Sequence, residues 1–194
     1  MRKQIVTALL YTVVTTLLLG LAYPLGITLI AHLVMPRKAD GELITKNGVL
    51  IGSKLLGQTF SGPAYFHSRP SAAGAGYDAA NSSGSNLGPT NASLIARVQQ
   101  SAAQVRKENK ATADIPVDMV TTSGSGLDPD ITIAAAEFQV FAVARARGLS
   151  AEQVNQLVQQ HIQPRQFGVL GEPRINVLQL NLALDDMAKS AIQP

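Results

Sequence analysis

The chain has no cysteine and no tryptophan among its 194 residues, and aromatic residues make up 5% of it. The missing thiols exclude disulfides, thiolate metal sites and thiol catalysis together. Any core must be built from Leu, Ile, Val, Ala and a few Phe. Surplus charge is scarce as well. The formal net charge is +3, of which Arg2 and Lys3 supply two; from Pro36 onward 14 Lys and Arg face 13 Asp and Glu. No basic face is left to neutralise phosphates, so the pI near 9.3 does not signal a nucleic-acid surface.

Catalytic motifs are missing too. No G-x-S-x-G occurs, because Ser123 and not Gly precedes Ser125 at the required distance. Gly48–Lys54 (GVLIGSK) lacks the spacing of a phosphate loop and reads as strand. His32, His67 and His161 are scattered, with no carboxylate or second His at metal spacing. Ser125, His67 and Asp128 could be drawn as a triad, but a chain of this size offers such a set by chance. The expectation is no catalytic residue, no bound cofactor and no metal.

What the sequence does contain is one long uncharged run, Gln4 to Met35. About 20 apolar residues cross a hydrocarbon core, and in lipid the backbone must pair within its own helix. The spanning part is expected from about Thr7 to Ile30, with a kink at Pro24, which lacks an N–H and crowds the preceding turn. The expected organisation is an anchor over residues 1–35, a juxtamembrane linker over 36–47 and a domain over 48–194. A cleaved signal peptide is the rival, with Gly20-Leu21-Ala22 as a small-x-small site, but the apolar run before that site exceeds the usual 7–15 residues and continues past it. Arg2 and Lys3 favour a cytoplasmic N-terminus and a domain outside, against the opposing Arg37 and Lys38.

Beyond the anchor the pattern predicts a small α+β domain: short strands, three or four helices and long Gly/Ser loops. Val49–Phe60 reads as strand with a bend near Gly52 or Gly57, and Tyr65-Phe66 as a second short extended piece. Ser68–Thr90 is almost entirely Gly, Ala, Ser, Asn and Pro, which suits an ordered surface loop. A helix is expected over Asn91–Asn109, with Leu94, Ile95, Val98, Ala102 and Val105 on one face. Asp118–Thr122 reads as strand. Asp128 with Pro129 at the first position opens a helix from about Ile131 to Arg147, stopped by Gly148. Ser150 caps another, which ends at Pro164. Ile175–Leu184 fits strand alternation or a helix capped by Asn176, with the Leu and Ala content favouring helix.

The pattern S-G-S-x-L-x-P occurs twice, at Ser83–Pro89 and Ser123–Pro129. The simple reading is one turn type used twice. The sharper reading puts the two loops side by side, presenting backbone N–H groups to an anion or a partner. Arg69 and Arg174 stand beside Pro70 and Pro173. Each is read as an Arg that pins a loop through a carboxylate, or as a contact to a partner.

These segments carry a resemblance that covers nearly the whole chain. Tyr23-Pro24, Gly52-Ser53 through Phe60, Phe66–Ser71, Gly84–Asn91, Ser123–Pro129, Ala144–Gly148 and Leu170–Leu178 stand in an order similar to that of the C-subunit family of the bacterial Kdp potassium-transporting P-type ATPase. Asp130 departs from an expected His, and Phe141-Ala142 from a pair ending in Arg. The resemblance implies a non-catalytic subunit in a bacterial inner membrane. Its partners would be a channel-like potassium-binding subunit and a P-type ATPase subunit, which handle potassium and ATP, with membrane lipid around the anchor. It further implies a role in assembly or in raising the ATPase subunit's affinity for ATP. Arg69, Ser85, Asn86, Asn91, Ser125, Asp128, Arg174 and Asn176 are the candidate partner contacts. Two other classes stay open: a stand-alone anchored binding module that holds a small anion, and an anchored hydrolase with Ser125 or Ser123 as nucleophile.

Overall fold

The computed structural model describes residues 1–110 and 113–190. The chain divides into two compact units, Met1–Ile51 and Gly52–Pro194.

The first unit begins with α1 (Arg2–Leu17), a π-helical turn (Leu18–Ala22) and α2 (Tyr23–Val34). Together they form one helix of 33 residues, long and apolar enough to cross a membrane, with none of its apolar window buried. At 1.5 Å per residue it measures about 50 Å, longer than a hydrocarbon core of about 30 Å. The helix passes through Pro24 without a break. The wider π turn immediately before it is a common way to accommodate a ring that would crowd the previous turn of an α-helix. Polar side chains in this helix fold back onto it. Thr7 Oγ1 donates to Lys3 O (2.9 Å), Thr15 Oγ1 to Tyr11 O (2.8 Å), and His32 Nδ1 lies 2.9 Å from Thr28 O. Each of these bonds stays within four residues, as lipid offers no donor or acceptor, while His32 at the helix end also reaches Asp40 through Nε2 (3.4 Å).

After Met35 the chain continues through the stretch expected to join anchor and domain. It forms α3 (Pro36–Ala39) and then a hairpin of β1 (Leu43–Lys46) and β2 (Val49–Ser53), turning at Asn47 and Gly48, both of positive φ. The expected strand therefore ends at Ser53, not Phe60.

The second unit is organised by α4 (Ala92–Asn109), α5 (Ile133–Arg147), α6 (Ala151–Gln160) and α7 (Val177–Ser190). A two-residue antiparallel pairing of β3 (Asp130–Ile131) with β4 (Ile175–Asn176) brings the start of α5 beside the start of α7. Asn91 caps α4, accepting from Ser93 and Leu94 N–H, and Val105 is its buried residue. Ile95 is exposed, so the apolar face is narrower than expected. Ser150 and Gln153 form a reciprocal capping box on α6, whose Val154, Leu157 and Val158 are buried. Gly148 ends α5 in the left-handed conformation.

The core joins Phe66, Ile131, Val143, Val158, Ile175, Leu180 and Leu184, all at 2% exposure or less, with the small Ala135, Ala136 and Ala144 of α5. Those alanines leave room for α5 to meet neighbours on several sides.

Two further expectations are corrected and one ambiguity is resolved. Asp118–Thr122 is not a strand; Val117–Met119 forms a 3₁₀ turn. Pro129 does not open α5: Asp128 and Asp130 lie before it, and Thr132 is the cap, accepting from Ala135 N–H. The C-terminal ambiguity resolves into both forms, since Ile175-Asn176 pair as strand and the helix starts at Val177, with Asn176 Oδ1 accepting from Gln179 N–H (3.1 Å).

Candidate functional site

The two similar loops lie against each other. Ser125 O accepts from Ser83 N–H (3.0 Å) and from Ser82 Oγ (2.9 Å). A Cβ on Gly84 would sit 2.9 Å from Gly124 O, and one on Gly126 (φ +67°) 2.6 Å from Ala73 N and 2.7 Å from Ser83 O. Side chains at these places would force the loops apart. The sharper reading of the repeat is therefore right about position. Three of its donors, however, are spent internally. Gly126 N–H bonds Ser123 Oγ, Leu127 N–H bonds Ser125 Oγ, and Ser83 N–H bonds the facing loop. An anion at those three donors would have to displace these bonds.

Arg69 ties the loops to the domain. Its guanidinium donates to Thr121 O, Thr121 Oγ1 and Thr122 O and pairs with Asp128 Oδ2 at 3.4 Å. Tyr77 donates its hydroxyl to Arg69 O. Burial pushes the Tyr77 phenol above its ordinary pKa; the charge of Asp128 adds to this, and the Ser68 hydroxyl and Arg69 oppose it. Ser71 Oγ donates to Gly126 O (2.6 Å) and accepts from Ala73 and Tyr77 N–H. The loop that composition makes look pliable is thus held by a dense set of polar contacts, several of them to residues more than 50 positions away.

A second cluster forms where β3 meets β4. Arg174 Nε pairs with Asp130 Oδ2 at 3.0 Å, and Asn176 Nδ2 donates to Asp130 Oδ1 (3.1 Å) and to Lys54 O (2.9 Å). Asp130, the residue that departs from the resemblance, is the acceptor joining both candidates. Of the eight candidate contacts, Ser85, Asn86, Ser125 and Asp128 lie in the paired loops, Arg69 pairs with Asp128 beside them, and Arg174 and Asn176 belong to this cluster. Ser85 is half-buried, Asn86 is exposed with φ +52°, and Asn91 is spent on capping α4.

Sequence reasoning missed the residues that hold Phe66 and His67. Gln139 of α5 and Asn181 of α7 are each 1% exposed. Asn181 Oδ1 accepts from Phe66 N–H and its Nδ2 donates to Phe66 O, both at 2.9 Å. Gln139 Oε1 accepts from His67 N–H (2.8 Å) and its Nε2 donates to His67 O (3.2 Å). The expected second strand is replaced by this arrangement, in which two side-chain amides play the part of a neighbouring strand. Arg147 closes the same stretch: Nε donates to Ala64 O, NH2 pairs with Asp185 at 2.8 Å, and the guanidinium lies 4.6 Å from the centre of the Tyr65 ring. A polar residue on the inward face of each helix was the only available signal.

The imagined triad does not form. His67 Nε2 contacts Gly62 O, Ser125 Oγ accepts from Leu127 N–H, and Asp128 serves Arg69 and Asp130 N–H. Among the described residues no group of His, Asp or Glu is placed to hold a metal. A cleft of about 400 Å³ beside α4 is lined by His67, Arg69, Tyr77 and Glu108, but its one cation already serves Asp128 and the Thr121-Thr122 carbonyls.

Fold and site together define a class: a small α+β domain, in a chain with a membrane-length helix, whose described polar residues organise loops. Comparison with known proteins then places it. Residues 5–186 match the family described as KdpC: K+-transporting ATPase, c chain, and the chain belongs to that family. A relative from Koribacter versatilis is 59% identical over 185 residues, covering 95% of both chains. One from Acidobacterium capsulatum is 56% identical over 181 residues, covering 93% of this chain and 97% of its own. One from Rhodopseudomonas palustris is 52% identical over 197 aligned positions, covering 95% and 98%. All three are named potassium-transporting ATPase KdpC subunit.

Proposed function

We propose that this chain is a non-catalytic accessory subunit of a potassium-transporting ATPase, and that it holds the larger subunits together by means of a rigid domain outside the cytoplasm. The observation that carries the reading is how the Gly/Ser loops use their polar groups. Ser82, Ser83, Ser123 and Ser125 are bonded within the loop pair, and Arg69 to the loop carbonyls and Asp128. Such a surface suits docking, where shape must be preformed, better than chemistry, where a reactive group must be left free. In this reading residues 1–35 anchor the chain, with Thr7 to Ile30 in the bilayer, 36–47 join, and 48–194 form the outer domain. Potassium and ATP are handled by the channel-like and ATPase partners, and any effect on ATP affinity is transmitted through the assembled complex. Arg69, Asp128, Arg174 and Asn176 shape the contact surface, and exposed Asn86 touches the partner.

The test is purification from membranes in mild detergent through a C-terminal tag. Larger membrane subunits should accompany the chain, and the mixture should hydrolyse ATP when potassium is added. Emergence as a lone protein would overturn the reading in favour of the stand-alone binding module. Topology is tested separately with Thr90→Cys in the cysteine-free chain. A membrane-impermeant maleimide should label intact cells, and labelling only after lysis would place the domain inside.

A further inference from the structure

Residues 163–174 form a finger between α6 and β4. Two isolated bridges hold it, Gln163 with Arg174 and Gln166 with Leu170. An ion pair from Arg165 to Glu172 closes its sides. Its tip is apolar and unprotected: Phe167 is 83% exposed, Val169 72% and Leu170 56%. Phe167 also has φ +55°, a left-handed conformation that costs a bulky L-residue on the order of 1 kcal/mol or more. The fold thus holds an aromatic ring in solvent against both the hydrophobic effect and backbone preference. Gly168, next in the chain, shows φ +77°, so glycine would be the natural residue for this tip.

The charges around the tip decide what it meets. A loop that enters a bilayer surface gains from free Lys or Arg beside its apolar residues, which attract anionic headgroups. Here both cations of the finger are already neutralised, Arg165 by Glu172 and Arg174 by Asp130. An apolar anchor ringed by satisfied polar groups is the pattern of a protein–protein hot spot.

We propose that Phe167, Val169 and Leu170 are a docking plug that fills an apolar pocket on a protein subunit of the same transport complex. This rests on the accessory-subunit reading above. The ring gains on docking what it lacks in the free chain, and the left-handed backbone is held in advance.

Phe167→Gly provides the test, because folding and docking should respond in opposite directions. In the full chain purified alone, relief of the left-handed strain should leave the thermal midpoint unchanged or higher. Co-purification of the larger subunits should fall by on the order of tenfold or more, as for loss of a hot spot. Val169→Ser, at a position without positive φ, should weaken assembly with an unchanged midpoint. A photo-crosslinking phenylalanine analogue at position 167, in the complete complex, should give an adduct with a subunit of that complex, identified by mass. Normal assembly of both variants, or adducts only with lipid, would overturn the plug while leaving the accessory role intact. A wild-type chain that brings no subunit with it would overturn both.

Discussion

The membrane-length helix and the α+β domain solve the same problem in opposite ways. In the helix, Thr7, Thr15 and His32 bond to backbone oxygens four residues away. In the domain, Asn181 reaches 115 residues back to Phe66, Gln139 reaches 72 to His67, and Asn176 reaches 122 to Lys54. The contrast teaches where stability resides. A helix facing lipid must satisfy its polar groups locally, so each is replaceable with little consequence. A domain with few strands must import donors and acceptors from distant helices, so a single amide carries a whole segment.

Substitution can break this contrast, and the largest effect is expected at the amides. Asn181→Leu strands the buried N–H and C=O of Phe66 and should cost about 3 kcal/mol, read as a lowered urea midpoint of the purified protein. A loss below about 1 kcal/mol would show that water replaces the amide and that the long-range bond is dispensable. Next comes Gly126→Ala. The added Cβ meets backbone at 2.6 and 2.7 Å in a left-handed position, so about 2 kcal/mol should be lost, together with the fit of the two loops. Asp185→Asn leaves the Arg147 guanidinium, whose side chain is 10% exposed, without its charge partner. The carboxylate is one-third exposed, so water offsets part of the loss, and about 1.5 kcal/mol is expected. At the other end, Thr15→Val in the helix should change stability by less than about 0.5 kcal/mol, because Tyr11 O keeps its helical bond. A larger change would make the helix resemble the domain and erase the distinction.

Tyr77 sharpens the comparison through pH. Its phenol is pushed above the ordinary value, chiefly by burial, so the folded state favours the neutral form. This contribution is fully present below the unfolded pKa of about 10 and is lost as pH rises through the higher folded value. Wild type should therefore lose stability above about pH 10 more steeply than Tyr77→Phe, measured by urea unfolding across alkaline pH.

Much of the fold was legible because its signals are local. Asn91, Ser150 and Gly148 mark helix ends by chemistry confined to one turn. The expected pinning of a loop by Arg69 was also legible, since an Arg beside a Gly-rich loop needs a carboxylate and Asp128 stands in the facing copy of the repeat. The start of α5 was misread because Asp128-Pro129 has the composition of a cap, while the pairing of Asp130-Ile131 with Ile175-Asn176 takes those residues as strand and moves the cap to Thr132. Asp118–Thr122 was misread for a related reason: Val117–Met119 closes a tight turn, and Asp118 Oδ2 accepts from Thr132 N–H at the head of α5. The finger was invisible, because nothing in Phe167-Gly168-Val169-Leu170 separates exposed apolar residues from buried ones.

By itself, then, the sequence determined the membrane-length helix, the helix ends at Asn91, Gly148 and Ser150, the absence of thiol chemistry and the family, all of which rest on composition, spacing and contiguous motifs. Tertiary structure alone decided that the repeated loops face each other, that Gln139 and Asn181 stand in for a strand, and that the finger tip stays uncovered. The physical reason is range. A cap or an apolar run is satisfied within a few residues of where it is written, whereas a buried amide takes its meaning from a backbone group a hundred residues away, and only the folded chain brings the two within 3 Å.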